Sequence, residues 1–195
     1  MNATTTSRDR IRLPLKFDAE RLRRDVAALD LPAFVYYDSV PLRAPAHLVD
    51  ASVPFPPPAE DYADGSWTDW LDTPLLRNSN YLREVVDKFR ENCTVNLIRL
   101  LRLAPGAEVK EHTDPTLGLH VERSMIRLTI PVQVPTSVQF ILNGTEVPMQ
   151  PGECWYLRLT DPHRVLNPSA EERINLTIDV VPNEWVRGLL GGGIS

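Results

Sequence analysis

Two histidines and an aspartate have the spacing of a metal site. His112 and Asp114 are separated by one residue and follow a strand-like run and a turn, so if this segment is extended both side chains point to the same side. His163 begins a second strand-like run. Two imidazoles and one carboxylate form the set that binds non-haem Fe(II) on one face and leaves the opposite positions open. The three residues therefore predict a catalytic iron site.

Each residue of this set also has an ordinary explanation. The alternatives are a loop histidine at position 112, a turn-forming Asp114 before Pro115 and a satisfied core histidine at position 163. An acidic residue two places after a histidine arises easily in a chain with 26 Asp and Glu, which makes His-x-Asp alone a weak motif. Arg173, ten residues after His163, makes the combination more specific.

The two last strand-like segments, 163–167 and 173–181, predict how Arg173 is placed. If they pair as a hairpin with Asn167 opposite Arg173, then Arg173 shares a face with His163 because side chains alternate along a strand. A planar guanidinium suits two-point binding of a carboxylate. The alternatives for Arg173 are a solvated charge or an ion pair with Glu171 or Glu172.

Three motifs in this part of the chain resemble the C-terminal core of the aspartyl/asparaginyl β-hydroxylase family. They are Gly-Glu-Cys-Trp-Tyr from residue 152, Pro-His-Arg-Val-Leu-Asn-Pro-Ser from residue 162 and Glu-Arg-Ile-Asn-Leu-Thr-Ile-Asp-Val from residue 172. The resemblance covers roughly residues 95–185, nearly half of the chain. It implies a double-stranded β-helix (jelly-roll, cupin-like) fold, an Fe(II) cofactor, 2-oxoglutarate as cosubstrate and O2 as oxidant.

The resemblance also assigns roles by position. It implies that His112, Asp114 and His163 bind the iron and that Arg173 binds the distal carboxylate of 2-oxoglutarate. The segment Arg127-Leu-Thr-Ile-Pro-Val resembles a family strand that reads Arg-x-His-x-Pro-Leu. In that strand the arginine helps to hold a substrate carboxylate, and the histidine assists the cosubstrate. Arg127 matches, whereas Thr129 stands in the place of the histidine.

Two questions about arginines stay open at this level. Arg127 is either a substrate contact or one half of a structural ion pair. Arg99 and Arg102 lie on opposite faces of one predicted strand, and the sequence does not indicate which of them faces the cavity. Trp155 lies on the same face of its predicted strand as Leu157 and Leu159, which favours core packing.

The fold predicted from the pattern is mainly β, with flanking N-terminal helices. Turn signals at Pro105-Gly106, Asn143-Gly144 and Pro151-Gly152 separate short strands, as in a jelly roll, and Asn-Gly is a strong hairpin signal. The predicted strands are 94–103, 124–132, 137–142, 146–149, 153–159, 163–167 and 173–181. The segment from Asn183 to Leu190 is expected to be either a short helix or an arm.

The N-terminal half is predicted to flank this barrel. We expect a loose segment at residues 1–12, a helix from Phe17 to Leu29 capped by Asp18, and a short strand from Phe34 to Tyr37. A second helix is expected over residues 79–89. Residues 41–75 are rich in proline and contain Trp67 and Trp70, which predicts an ordered loop that is either a plug against the barrel or a lid over a ligand.

Composition limits the remaining possibilities. A chain of 195 residues with 43% hydrophobic residues predicts one domain, with residues 1–92 flanking a catalytic core at 93–195. The net charge of −5 gives no support for nucleic-acid binding. No run approaches the ~18 apolar residues that span a membrane, and no secretory signal is evident, so we expect a cytoplasmic protein. Cys93 and Cys154 are expected to be buried free thiols, and His47 and His120 to lie on the surface.

Three functions fit these expectations. The first is an Fe(II)/2-oxoglutarate hydroxylase that acts on a free amino acid or a similar small molecule bearing a carboxylate. Asp114 favours this first function, because an acidic residue at this ligand position makes the chain resemble the bacterial branch of the family, which contains proline cis-4-hydroxylase. The second is hydroxylation of an Asp or Asn residue in a peptide or protein. The third is a cupin-type metal-binding protein that does not hydroxylate, which would have no need of a carboxylate-binding Arg173.

Overall fold

The computed structural model describes residues 8–53, 69–119 and 125–191. The strands are β1 (Arg10–Lys16), β2 (Tyr37–Pro45), β3 (Trp70–Asp72), β4 (Val95–Leu103), β5 (Glu108–His112), β6 (Ile126–Gln133), β7 (Gln139–Leu142), β8 (Thr145–Glu146), β9 (Glu153–Leu157), β10 (His163–Leu166) and β11 (Arg173–Val180). The α-helices are α1 (Ala19–Ala27), α2 (Pro74–Arg77), α3 (Tyr81–Arg90) and α4 (Glu184–Leu189). In these ranges no helix is both long and apolar enough to cross a membrane.

The strands form two antiparallel sheets that enclose a cavity. The larger sheet has the order β1-β9-β6-β11-β4-β2-β3, and the smaller has the order β5-β10-β7-β8. Side chains of both sheets share one apolar cluster, in which Phe140 and Val165 of the smaller sheet join Leu103 and Leu157 of the larger. This architecture confirms the predicted double-stranded β-helix.

The central strand β11 has one apolar face and one polar face. All eight of its residues are buried. Ile174, Leu176 and Ile178 belong to the core that packs against the helices, and the alternate residues Arg173, Asn175, Thr177 and Asp179 line the cavity. The period of two therefore separates an apolar face from a polar face on a strand that has no exposed side.

The helices cover the outer face of the larger sheet. Asp18 caps α1 as predicted, because its side chain accepts hydrogen bonds from the backbone of Glu20 and Arg21. The second predicted helix is α3, which buries Leu82, Val85, Val86 and Phe89. The segment near the C-terminus that was expected to be a helix or an arm is the helix α4.

Several local predictions were wrong. Residues 163–167 and 173–181 do not pair, because β10 lies in the smaller sheet and β11 in the larger. The side chain of Asn167 donates instead to the backbone oxygens of Leu103, Ala104 and Glu171. Arg173 and His163 therefore face each other from opposite sheets.

The N-terminal region contributes more to the sheet than its sequence indicates. Arg10–Arg12 were expected to be loose, yet β1 pairs with β9 through them. The strand expected at Phe34–Tyr37 begins only at Tyr37 and extends to Pro45, where β2 pairs with β4. β3 and β5 were not predicted, and β8 ends at Glu146, before most of the predicted 146–149 strand.

The turns at Asn143-Gly144 and Pro151-Gly152 form as predicted. Asn143 and Gly144 both have positive φ angles, 50° and 71°, which is the conformation of the tight turn that Asn-Gly favours between paired strands. Here that turn joins β7 to β8. Gly152 follows Pro151 and has φ 81°. Its backbone oxygen accepts a hydrogen bond from Phe17 N, which ties the start of α1 to the turn before β9.

Gly152→Ala should destabilise the fold more than Gly106→Ala. Both glycines have positive φ angles, so alanine at either position incurs roughly 1–2 kcal/mol of backbone strain. An alanine Cβ at position 152 would also overlap the carbonyl oxygen of Phe17, whereas nothing lies within 4 Å of the corresponding site at Gly106. Urea unfolding of the two variants measures the difference, and equal losses would contradict the close approach at Gly152.

Candidate active site

The predicted metal ligands come together at one end of the smaller sheet. His112 ends β5 and His163 begins β10, and the two residues are direct partners in the register of these strands. Asp114 Oδ1 lies 4.0 Å from His112 Nε2, and Asp114 Oδ2 lies 3.8 Å from His163 Nε2. One ligand atom from each of the three residues falls within 4.8 Å of the others. This set of donors fits the binding of one Fe(II) ion.

Backbone hydrogen bonds turn both imidazoles toward this point. His112 Nδ1 lies 2.8 Å from Lys110 O, and His163 Nδ1 lies 2.9 Å from Asp161 O. A carbonyl oxygen can only accept, so Nδ1 carries the proton and Nε2 is free to bind a metal. Burial lowers the pKa of His163, and the nearby His112 acts in the same direction. Both effects favour the neutral imidazole that metal binding requires.

The loop that carries the Asp161 carbonyl is fixed by its own side chain. Asp161 Oδ2 lies 2.7 Å from Arg158 Nη2 and accepts a hydrogen bond from Asn143 Nδ2. Asn143 Nδ2 also donates to Asp9. These contacts hold the segment before β10 in the position that orients His163.

A cavity of about 710 Å³ extends from the metal ligands between the two sheets. Phe140 of β7 lies close to both His163 and Arg173. Its ring stacks on the His163 ring at 5.9 Å between centroids, and the Arg173 guanidinium carbon lies 5.8 Å from its centroid. The candidate metal site and Arg173 therefore border the same aromatic side chain, although they belong to opposite sheets.

Arg173 is buried without a carboxylate partner among the described residues. Only 5% of the residue is exposed, and the Asn175 amide oxygen accepts a hydrogen bond from its Nη2. Glu172, an expected alternative partner, binds Arg102 instead. Burial lowers the pKa of Arg173 to about 10, which still leaves it cationic at neutral pH. A buried cation that faces a cavity favours an anionic ligand.

Arg127 is engaged with protein carboxylates. Its Nε and Nη2 donate to the two carboxylate oxygens of Asp179 at 2.7 and 2.8 Å, and its Nη1 lies 3.6 Å from Asp114 Oδ2. Burial opposes the charge of Arg127, but Asp179 outweighs that effect and raises the pKa of the arginine. Arg127 thus forms the structural ion pair that the sequence left open, and it also lines the cavity beside a candidate metal ligand.

Thr129 lies two residues farther along β6. It is buried, lines the same cavity and pairs in register with Thr177 of β11. Thr129 therefore lies in the cavity that contains the candidate metal ligands, and its contact with the cosubstrate stays a prediction.

Sequence reasoning missed two contributors to the site and left a third undecided. Arg99 faces the cavity, whereas Arg102 on the opposite face of β4 binds Asp38 and Glu172. Asp179 and Phe140 were not singled out. Asp179 has the same strand parity as Arg173, which is a signal that could have identified it. Phe140 offered no signal, because the apposition of the sheets brings it to the site.

The remaining expectations concern residues outside the cavity. His47 is exposed, and Trp155 packs in the core while its Nε1 donates to Glu153. Cys93 and Cys154 are free and buried, and burial raises the pKa of both thiols. His120 and Trp67 lie outside the described residues. Trp70 lies in β3 and lines the cavity.

A family model, aspartyl/asparaginyl beta-hydroxylase, matches residues 67–182, well over half of the chain. The chain belongs to the aspartyl/asparaginyl β-hydroxylase family. It is accordingly an Fe(II)/2-oxoglutarate-dependent dioxygenase, which confirms the predicted class of enzyme. Membership in this hydroxylase family implies Fe(II), 2-oxoglutarate and O2.

Solved structures support the same fold. An oxidoreductase of the 2OG-Fe(II) oxygenase family from Burkholderia pseudomallei aligns at 14% identity with a TM-score of 0.54, over 89% of this chain and 84% of that one. A collagen prolyl hydroxylase of Paramecium bursaria Chlorella virus 1, solved as a 2OG complex, aligns at 10% identity with a TM-score of 0.55, over 93% of this chain and 100% of that one. No curated protein sequence matches the chain.

Proposed function

We propose that this β-hydroxylase family member hydroxylates a C–H bond of a free amino acid, or of a similar small molecule that carries a carboxylate, with release of succinate and CO2. The observation that supports this proposal is a cavity of small-molecule size, ~300–1,000 Å³, in which the cationic side chains exceed the carboxylates available to them. Three arginines line it, and two of them, Arg99 and Arg173, have no carboxylate partner among the described residues. The three carboxylates in the lining are otherwise engaged, because Asp38 pairs with Arg102, Asp179 pairs with Arg127 and Asp114 is a candidate metal ligand.

In this proposal His112, Asp114 and His163 hold the metal. The chemistry that Fe(II) supplies when bound is activation of O2 for the oxidative decarboxylation of 2-oxoglutarate and the coupled hydroxylation of the substrate. The backbone hydrogen bonds at both Nδ1 atoms turn the Nε2 atoms of the two imidazoles toward the metal position. Arg127 Nη1 lies 3.6 Å from Asp114 Oδ2, which places a cation beside the one carboxylate of the set.

Arg173 is proposed to bind the distal carboxylate of 2-oxoglutarate. Its guanidinium lines the cavity from the start of β11, near the Phe140 ring on which His163 stacks. An arginine without a protein carboxylate in the described part of the chain has donors left for a two-point contact. The third candidate function, a metal-binding cupin that does not hydroxylate, gives no reason for such an arginine.

The substrate class predicts a specific response to esterification. With Fe(II), 2-oxoglutarate and ascorbate, at least one free α-amino acid should raise succinate formation and gain one oxygen atom by mass spectrometry. The methyl ester of the same amino acid should not, because it lacks the anion that the cationic cavity selects.

The screen should cover the twenty L-amino acids together with short peptides that contain Asp or Asn. The esterified amino acid serves as the matched control, since it keeps the size and the side chain of the acid. Stimulation by the Asp or Asn peptides alone would replace the proposed substrate with a polypeptide and leave the oxygenase assignment intact.

A further inference from the structure

We propose that Arg99, rather than Arg127, binds the carboxylate of the substrate. This inference rests on the proposed function, because it assigns the anion-binding residue for that substrate. Arg99 lies on β4, a central strand of the larger sheet, and its side chain lines the cavity that contains the metal ligands.

The guanidinium of Arg99 lacks the partners that a buried arginine normally has. Its Nε is buried with no hydrogen-bond partner. Within residues 8–53, 69–119 and 125–191, its hydrogen bonding is limited to a long contact of 3.5 Å from Nη1 to Ser39 Oγ. An unpaired buried donor is costly unless a ligand satisfies it. The donors of Arg99 are therefore available to a bound anion.

Arg127 differs from Arg99 in this respect. Asp179 occupies two nitrogens of its fork, and the third faces Asp114. A substrate carboxylate at Arg127 would have to displace Asp179 or approach two existing carboxylates. The same contacts raise the pKa of Arg127, whereas burial and the neighbouring charge of Arg127 lower the pKa of Arg99. A substrate carboxylate would therefore compensate the unpaired positive charge of Arg99, whereas at Arg127 it would be repelled by the two carboxylates already present.

The register of the larger sheet separates Arg99 from the cosubstrate position. Arg99 pairs with Thr177, and Leu103 pairs with Arg173. Four residues of strand therefore separate the two backbone positions, about 13 Å. Two anions, one at Arg173 and one at Arg99, can thus occupy the cavity without competing. The Ser39 hydroxyl beside Arg99 offers a second donor for the substrate carboxylate.

This arrangement makes opposite predictions for the stability of two matched variants. Arg99→Gln removes a buried charge that has no carboxylate partner among the described residues, so the melting temperature of the ligand-free protein should stay the same or rise. Arg127→Gln leaves Asp179 buried and unpaired, so the melting temperature should fall. Differential scanning calorimetry of both proteins without ligand measures this difference.

The decisive measurement is equilibrium binding without turnover. Calorimetry under anaerobic conditions, on protein loaded with Fe(II) and 2-oxoglutarate, gives the Kd of the amino acid that most stimulates the wild type. Arg99→Gln should raise this Kd at least about tenfold and leave the Kd for 2-oxoglutarate, measured in the same way on protein loaded with Fe(II), unchanged. Arg99→Lys should recover part of the loss, because it restores the charge without the fork.

Esterification supplies a second, independent comparison. The methyl ester of the amino acid should bind the wild type and Arg99→Gln with similar Kd values, because the group that Arg99 contacts is already neutral. An unchanged Kd for the free acid in Arg99→Gln, or a fall in melting temperature as large as that of Arg127→Gln, would overturn the assignment while wild-type turnover stands. If no free amino acid stimulates the wild type, the proposed function fails, and the role of Arg99 fails with it.

Discussion

His163→Ala should abolish both Fe(II) binding and succinate formation. The variant removes one of three protein ligands from a site in which each ligand supplies a large part of the affinity. His163 is buried and its ring stacks on Phe140, so alanine at this position loses side-chain packing as well as a metal ligand. Iron bound per chain after anaerobic loading, together with succinate production, measures both effects.

The control for this variant is His47→Ala. His47 is exposed in a short 3₁₀ turn and does not line the cavity, so its removal should change neither quantity. His112→Ala and Asp114→Ala should resemble His163→Ala. A His163 variant that retains iron in the wild-type proportion and turns over normally would remove the metal assignment altogether.

The sequence predicted the arrangement of the candidate metal ligands His112 and Asp114 because that arrangement depends mostly on local geometry. His112 and Asp114 need only the short spacing between them and an extended chain to face one point. The alternation along the last strand similarly placed Arg173 on an inward face, and Asn175 and Thr177 line the cavity beside it. Turn residues such as Asn143 and Gly144 adopt the backbone conformation that their types favour.

What the sequence did not predict depends on long-range pairing. The segments at 163–167 and 173–181 are neighbours in the chain and suggested a hairpin, but they cross between sheets. The pairing of β1 with β9 joins residues that are far apart in sequence, and no local pattern indicates such a partner. The distinction between Arg99 and Arg127 depends on Asp179, which only the register between β6 and β11 brings opposite Arg127.

The wrongly predicted hairpin changes where the residues of the proposed site lie, but it does not change which residues belong to the site. A hairpin would place Arg173 along the same sheet as His163, at a distance set by strand rise. The observed sandwich places the two on opposite sheets, each about 6 Å from the centroid of the Phe140 ring. A five-carbon diacid that binds both the metal and Arg173 would therefore cross the space between the sheets. Substitutions of Arg173 therefore test the opposed arrangement of the two sheets as well as the binding of the cosubstrate.

Arg173→Ala should raise the concentration of 2-oxoglutarate required for half-maximal turnover by more than about tenfold, while iron binding remains. Truncating one partner of a buried charge pair costs roughly 2–5 kcal/mol, and every 1.4 kcal/mol corresponds to about tenfold in affinity. The folded protein should tolerate the change, because no carboxylate in the described part of the chain depends on Arg173 for its charge. Arg173→Lys, which keeps the charge but loses the planar fork, should fall between the wild type and the alanine variant.

Arg164→Ala provides the matched control for Arg173→Ala. Arg164 follows His163 on β10, but its side chain is exposed on the face of the smaller sheet that is turned away from the cavity. Its loss should leave the 2-oxoglutarate KM unchanged, since an exposed charge at that distance is screened by solvent and salt.

The measurement is the dependence of succinate formation on 2-oxoglutarate at saturating Fe(II), alongside iron bound per chain. A normal KM in Arg173→Ala would assign the distal carboxylate to another residue. A parallel loss of iron would instead indicate that Arg173 supports the metal site through Phe140.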